Sequence, residues 1–188
     1  MRQTPLHDTH EKLGGRLVEF GGWHMPVQYG PILDEVKCVR ERAGIFDLGH
    51  MGRVRVFGPD RLRFLDAITT NFVARIPDGA IRYSLFCGPD GYPIDDLLVY
   101  VDPEYVRLVI NASNIEADLA FLHEHAEGFD VTIDDRTDST TMIAVQGPEA
   151  LAIVQSACDL NLDEIGYYRF GRSTLCSIPN TLLSRTGY

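Results

Sequence analysis

The segment from Cys87 to Tyr100 predicts a β-hairpin that carries two adjacent carboxylates. Its turn, residues 88–91, has the sequence Gly-Pro-Asp-Gly, which combines a proline that fixes φ, an aspartate that can bond its own backbone and a glycine that tolerates positive φ. The flanking segments, 81–87 and 94–100, are rich in the apolar and aromatic residues that suit a pleated sheet. We therefore expect two antiparallel strands here.

Side-chain alternation separates the two acids of the second strand. One face holds Ile94, Asp96, Leu98 and Tyr100, and the other holds Asp95, Leu97 and Val99. If Cys87 lies opposite Tyr92, then Tyr83 lies opposite Asp96 and on the same face as Tyr100. A three-residue loop with a bulge at Gly91 would shift the pairing by one and move Tyr83 to the other face. Residue types alone leave a purely structural pair of aspartates as the alternative.

The composition is typical of a globular protein, with 188 residues, 45% hydrophobic and 23% charged. A net charge of -10 argues against whole-surface attraction to nucleic acid or to anionic membranes. The four cysteines include no C-x-x-C pair, so we expect free thiols and a reducing compartment. The first residues lack the apolar core of a signal peptide, and no run is long enough to cross a bilayer. We expect a cytoplasmic protein.

Two segments repeat the order strand, Gly-Pro-acid, helix. The acid is Asp60 in residues 58–60 and Glu149 in residues 147–149. In both we expect the proline at the first helical position and the acid beside the positive helix start. The pattern indicates two related halves, although one shared turn does not by itself establish a duplication.

The strand predicted over 105–111 ends at Asn111, where a helix is expected to follow. Ser113 and Glu116 form a capping-box pattern for that helix. The free N–H groups of the helix start can receive a polar group of a ligand, or simple capping can satisfy them. His50 lies among glycines, and we expect a buried, hydrogen-bonded histidine there rather than a catalytic base.

Other catalytic and binding motifs are scarce. His7 and His10 stand three apart with acids nearby, which an exposed helix face explains, and His123 and His125 point to different helix faces, so we predict no metal site. The sequence has no P-loop, dinucleotide fingerprint or G-x-S-x-G. Four arginines suggest either a docking patch for an acidic partner or a solvated face, and they are Arg53, Arg55, Arg61 and Arg63.

Seven sequence blocks resemble, in order, those of the T-protein of the glycine cleavage system, the aminomethyltransferase family. They lie at residues 4–7, 20–26, 44–52, 94–97, 111–114, 146–148 and 184–188, and so span the whole chain. The resemblance implies transfer of an aminomethyl group from a lipoyl-bearing carrier, the H-protein, to tetrahydrofolate. Ammonia is released and methylenetetrahydrofolate is formed.

The resemblance also implies roles for individual residues. Asp96 corresponds to the family's key acid near the reacting nitrogens of the folate. The pocket positions are Met51, Tyr83, Tyr100, Asn111, Tyr168 and Tyr188. A carboxylate on an apolar, aromatic face can accept or orient a proton of the folate amine while the rings pack the pterin. Asp95 is then structural, tetrahydrofolate is a co-substrate, and no metal, nucleic acid or membrane is involved.

The fold implied is α+β, with mostly antiparallel sheets flanked by helices and two subdomains of the T-protein folate-binding fold. We expect residues 1–48 plus 139–188 to form the first subdomain and residues 49–138 to form the second, inserted one. Measured against the family's pattern, we expect residues 1–188 to lack the third domain, a β-barrel, together with the acid that follows Tyr188 in the family and a later arginine. Gly49 replaces the usual serine before His-Met-Gly. An end directly after a strand and a glycine is typical of a truncated chain.

Three alternative functions stay open. The first is a folate-binding protein without transfer chemistry, as in family relatives that assist iron–sulfur proteins, although their cysteine motif is not found here. The second is another folate-dependent one-carbon enzyme, such as a demethylase. The third is an inactive fragment.

Overall fold

The computed structural model describes residues 1–187, and their contacts divide them into two compact units. The first unit comprises residues 1–50, 141–167 and those from 171 to the end of the described chain. The second comprises residues 51–140 and 168–170. The division into domains at residues 48/49 and 138/139 stays a prediction.

Short strands and short helices alternate along the described chain. In order they are α1 (His7–Lys12), β1 (Arg16–Phe20), β2 (Trp23–Gln28), α2 (Ile32–Glu41), β3 (Gly44–Asp47), β4 (Gly52–Phe57), α3 (Arg61–Ile68), β5 (Ala80–Cys87), β6 (Pro93–Val101), β7 (Val106–Ile110), α4 (Ile115–Glu124), β8 (Thr132–Asp135), β9 (Ile143–Gln146), α5 (Ala150–Gln155), β10 (Arg169–Leu175) and β11 (Ile178–Arg185). Short 3-10 turns lie at Val73–Arg75, Ala112–Asn114 and Leu162–Glu164. Within residues 1–187, no helix combines the length and the hydropathy needed to cross a membrane.

In the second unit, strands β5, β6, β7, β4 and β8 lie side by side in that order, and each neighbouring pair is antiparallel. Alternate residues of these strands face a core that α3 and α4 cover. Its fully buried members include Val54, Phe64, Val99, Leu108 and Leu122. Each such side chain contributes about 1.5–3 kcal/mol, so this core holds the sheet in one register.

The first unit has fewer buried apolar side chains. Strands β1 and β2 form one hairpin, β3 pairs with β9, and β10 neighbours β11. Among the described residues, its buried apolar side chains are Trp23, Met25, Leu162 and Ile165. Polar side chains are buried as well, Thr4, His7, His10 and His50 among them. Polar contacts therefore hold much of this unit together.

The two Gly-Pro segments belong to a longer structural repeat. The order strand, helix, 3-10 turn and strand occurs in β4–β5 and again in β9–β10. Each copy also contains an isolated β-bridge, Thr69 with Phe86 in the first and Cys158 with Leu175 in the second. The number of residues from Gly58 to Gly147 equals the number from each residue of the first bridge to its counterpart in the second. The duplication inferred from one turn pattern thus extends over four elements.

Glycine is required at both positions of this repeat, because the backbone of another segment lies too close for a Cβ atom. Gly58 and Gly147 have φ of +107° and +116°, and a Cβ would lie 2.2 Å from the carbonyl oxygen of Asp130 and 2.4 Å from that of Val39, respectively. The helices begin at Arg61 and Ala150, two residues after each proline. The prolines therefore lie in the turns, which corrects the prediction that they are the first helical residues.

Candidate functional site

The turn of the predicted hairpin closes as expected. Gly91 donates its N–H to the carbonyl of Gly88 at 2.9 Å, and φ of Gly91 is +82°. Gly88 in turn donates to the carbonyl of Tyr92, also at 2.9 Å. Beyond the turn the pairing becomes irregular, because the register shifts between Phe86 and Cys87. A count of residues back from the turn therefore gives the wrong partners.

The predicted pairing of Tyr83 with Asp96 is wrong by two residues. Tyr83 lies opposite Leu98, and Leu85 lies opposite Asp96. A shift of two residues keeps every side chain on its face, so Tyr83 still shares a face with Asp96, as the first of the two predicted registers had it. The two side chains meet diagonally rather than directly.

Asp95 lies on the buried side of β6 and is 7% exposed. It accepts hydrogen bonds from the backbone N–H of Asn111 at 3.3 Å, from Nδ2 of Asn111 at 2.9 Å and from Nδ2 of Asn114 at 2.8 Å. Burial acts to raise the pKa of Asp95, but hydrogen bonds donated by Asn111, Asp118 and Asn114 outweigh it and lower the pKa. Asp95 is therefore an ionised, internally bonded carboxylate.

Asp96 lies on the exposed side of the same strand. Nδ2 of Asn111 donates to its Oδ1 at 3.0 Å, and to its backbone carbonyl at 3.2 Å. The hydroxyl of Tyr83 also donates to Asp96. Partial desolvation, the charge of Asp96 and this hydrogen bond raise the pKa of Tyr83, and Tyr168 is close enough to add to the effect. Asp96 is thus a carboxylate held by two donors and open to solvent.

The order of the strands explains why the predicted residues meet. The four that lie on adjacent strands are Tyr83 (β5), Asp96 (β6), Asn111 (directly after β7) and Met51 (directly before β4). Ile110 pairs with Leu97 on one side and with Gly52 on the other, so the residues next in sequence lie at one end of the sheet. We call these four residues the row. Their assignment to folate binding stays a prediction.

Two further predicted positions lie in the same unit. Tyr100 is 4% exposed, and its ring centroid is 5.6 Å from that of Phe170. Tyr168 has φ of 57°, and its backbone carbonyl accepts a hydrogen bond from the N–H of Ile81 at 2.9 Å. In the repeat it stands where the first copy has Gly79, with φ of 74°. This left-handed conformation costs a non-glycine residue about 1–2 kcal/mol. Tyr188, also predicted for the pocket, lies outside the described residues.

Arg53 is a buried residue that holds the backbone of Met51, a member of the row, and the sequence did not predict this role. Its side chain is 2% exposed, and its guanidinium donates to the backbone carbonyls of Met51, Thr137 and Thr140 and to the hydroxyl of Thr140. These bonds tie the residue before β4 to the segment after β8. The suggestion that Arg53 belongs to an exposed docking patch is therefore wrong. Its place in a strand gave no sign of burial.

The helix after Asn111 also differs from prediction. A 3-10 turn intervenes before α4, and neither Ser113 nor Glu116 forms the predicted capping box; the hydroxyl of Ser113 contacts Oδ1 of Asn114 at 3.4 Å. The capping-box prediction is wrong because the extra turn makes Asn114 the residue before α4 and directs its amide to Asp95. Asn114 and Asp118 were not predicted as site residues, although a spacing of four across the start of a helix is a recognisable signal.

The comparison with protein families decides the assignment. The family model of the GCVT N-terminal domain matches residues 6–188. The chain belongs to the GCVT N-terminal domain family. Aminomethyltransferases of Thermotoga maritima and Chloroherpeton thalassium are 43% and 46% identical over 189 residues, matching 100% of this chain and 52% of each relative. The chain spans about half the length of the curated relatives it matches.

A solved structure agrees with this family. The glycine cleavage system aminomethyltransferase T from Bartonella henselae matches with a TM-score of 0.91 and 31% identity, over 100% of this chain and 50% of that one. A heterotetrameric sarcosine oxidase from Corynebacterium sp. U-96 matches with a TM-score of 0.63 and 15% identity, over 99% of this chain and 82% of that one, which shows a common fold alone. The predicted α+β fold and the resemblance to T-proteins are confirmed.

Proposed function

We propose that this GCVT N-terminal domain provides the tetrahydrofolate site of an aminomethyltransferase of the glycine cleavage system. The reaction moves an aminomethyl group from the lipoyl arm of the H-protein to tetrahydrofolate and releases ammonia. The observation that carries the proposal is the row: a solvent-open carboxylate, Asp96, held by an amide and a phenol at the end of a rigid sheet.

The chemistry needs such a carboxylate. The transferred carbon becomes bonded to two folate nitrogens, and each gives up one proton. Those two protons balance the ones gained by the lipoyl sulfur and by the departing ammonia. A carboxylate in contact with the folate can accept or orient a proton as its nitrogen attacks, an effect that typically contributes 10²–10⁴-fold. The bonds from Asn111 and Tyr83 keep Asp96 in one position for this step.

The aromatic side chains suit the rest of the ligand. Tyr83 is 51% exposed beside Asp96, so its ring is available to a flat, partly apolar molecule such as a pterin. Tyr168 lies near Tyr83. Met51 adds a flexible apolar side chain at the same end of the sheet. We include Tyr188 in the proposed pocket on the resemblance alone.

A cytoplasmic location is part of the proposal, and so is the lipoyl-bearing partner. All four cysteines, Cys38, Cys87, Cys158 and Cys176, are free, which supports a reducing compartment.

The test combines binding and transfer with one matched pair of variants. Asp96→Asn removes the charge in the row, whereas Glu104→Gln removes an exposed acid at the opposite end of β6. Tetrahydrofolate binding is measured by anaerobic calorimetry, and transfer by ammonia release from aminomethylated H-protein. We expect Asp96→Asn to weaken binding about tenfold or more, since hydrogen bonds to charged groups contribute about 1.5–3 kcal/mol, and Glu104→Gln to match the wild type.

Each outcome assigns a function. Saturable binding with transfer that Asp96→Asn abolishes supports the aminomethyltransferase. Binding without transfer assigns the folate-binding alternative. Wild-type protein that shows no saturable binding contradicts the proposal.

A further inference from the structure

A second carboxyl group lies behind Asp95, away from solvent. Asp118 on α4 is 0% exposed, and its carboxyl is hydrogen bonded to that of Asp95. Within the described part of the chain, neither oxygen of Asp118 receives a hydrogen bond from an N–H or O–H donor. An ionised Asp118 would therefore be a buried charge next to a charge of the same sign, which is strongly unfavourable.

The two carboxyl groups have opposite surroundings. Asp95 accepts N–H donors from Asn111 and Asn114, and such bonds favour its charged form. Asp118 has no N–H donor among residues 1–187, and its burial beside that carboxylate favours its neutral form. The pair therefore shares its ionisation unequally: Asp95 holds the negative charge and Asp118 keeps the proton that joins them. Burial, the bond to Asp95 and the charges of Asp95 and Asp96 raise the pKa of Asp118 to about 8.

We propose that Asp118 is a positioning residue for the folate site: its proton holds Asp95 against Asn111, and so holds the amide of Asn111 against Asp96. Two hydrogen bonds connect the two acids: Nδ2 of Asn111 lies 2.9 Å from Oδ1 of Asp95 and 3.0 Å from Oδ1 of Asp96. Asp118 does not itself face the ligand, because it lies on the buried side of the pair. The inference rests on the proposed function, in which Asp96 contacts the folate.

A dependence of the site on pH follows. The charges that act on Asp118 are those of Asp95, which bonds to it, and of Asp96 on the other side of β6. From the end of β7 and the 3-10 turn, the amides of Asn111 and Asn114 bond to Asp95, and neither carries a charge. One turn away on α4 the neighbours are Ile115, Phe121 and Leu122, none of which carries a charge. Loss of the Asp118 proton above about pH 8 would repel Asp95 and loosen Asn111.

The first experiment measures tetrahydrofolate affinity from pH 6.5 to 9.5 in four proteins. Asp118→Asn keeps an N–H donor toward Asp95 but cannot titrate, and Asp118→Leu removes the donor. Glu116→Gln, exposed on the same helix, is the matched control. We expect wild type and Glu116→Gln to lose affinity about tenfold per pH unit above about 8, Asp118→Asn to stay constant, and Asp118→Leu to bind weakly throughout. An identical pH profile for wild type and Asp118→Asn overturns the proposal.

A second experiment does not require folate. Carbon-13 NMR follows the Asp118 carboxyl through the same pH range, and proton–nitrogen NMR follows the side-chain amide of Asn111. The expected result is a titration of both signals near pH 8, with the Asn111 titration absent in Asp118→Asn. Titration of Asp118 near 4, or an Asn111 amide that does not respond, overturns the proposal even if Asp118→Leu fails to fold. If no protein binds folate, the proposed function fails, and these signals still decide the role of Asp118.

Discussion

The side-chain amide of Asn111 contacts both acids of the hairpin, one buried and one exposed. A single nitrogen lies 2.9 Å from Oδ1 of Asp95 and 3.0 Å from Oδ1 of Asp96. The buried acid cannot move, since Asn114 and Asp118 also bond to it. The exposed acid is therefore oriented by a group that is itself anchored in the core, which is how a functional side chain is usually held in place.

A second buried carboxylate, Asp47, stabilises the first unit. Its side chain is 1% exposed and accepts hydrogen bonds from the hydroxyl of Thr4 at 2.5 Å, from Nε2 of His10 at 2.9 Å and from the N–H of Gly49 at 2.8 Å. Tyr29 continues the network, with its hydroxyl 2.6 Å from Nδ1 of His10. Burial acts to raise the pKa of Asp47, but the bonds outweigh it and lower the pKa.

We expect Asp47→Asn to lower the free energy of unfolding at pH 7 by about 2–4 kcal/mol, because the amide cannot accept all of these donors. Since the folded pKa of Asp47 is lowered, its contribution is present above the unfolded value of 3.8 and is lost as the pH falls through the folded value. Urea unfolding at pH 7 and pH 3 checks this. Asp8→Asn, an exposed neighbour of His7, is the control. A destabilisation of Asp47→Asn that is equal at both pH values would contradict it.

Residue alternation was sufficient to separate Asp95 from Asp96, because the period of two is a property of the strand backbone. The contacts of Asn111 were not predictable in the same way. They depend on the register between β6 and β7, which the core side chains set at Leu97 and Ile110. Asp118 was missed because a single acid on a helix normally faces solvent.

At the scale of elements, the repeat explains why two Gly-Pro turns occur. In both copies the chain leaves a strand, passes through a glycine at positive φ and starts a helix two residues after the proline. Even the position of Tyr168 follows from the repeat, because its counterpart Gly79 adopts the same left-handed conformation. The sequence showed the turn but not the later elements, since α3 and α5 share few residues.

We expect Gly58→Ala and Gly147→Ala each to destabilise the protein by about 3 kcal/mol or more, through left-handed strain and a clash with a carbonyl oxygen. Gly91→Ala is the matched control, because Gly91 also has positive φ but a Cβ there would meet no atom within 4 Å. The Gly91→Ala variant should lose only about 1 kcal/mol of its free energy of unfolding. Thermal unfolding of the three variants makes the comparison. Equal losses in all three would show that the close approaches do not matter.

For the molecule as a whole, the fold class was predictable and the surface of the first unit was not. Antiparallel hairpins and the family blocks together gave the α+β fold that the Bartonella henselae structure confirms. Helix α2, however, has no buried residue, and Leu33 on it is 82% exposed. An apolar pattern in a sequence does not say which surface covers it.

The central claim is that tetrahydrofolate binds at the row, and methionine methyl NMR tests it most directly. Among the four methionines, Met51 is the one in the row. We predict that its methyl signal and the side-chain amide of Asn111 shift together, saturably, as tetrahydrofolate is added, and that Asp96→Asn weakens both responses in parallel. Saturable binding that leaves both signals unmoved would contradict the account.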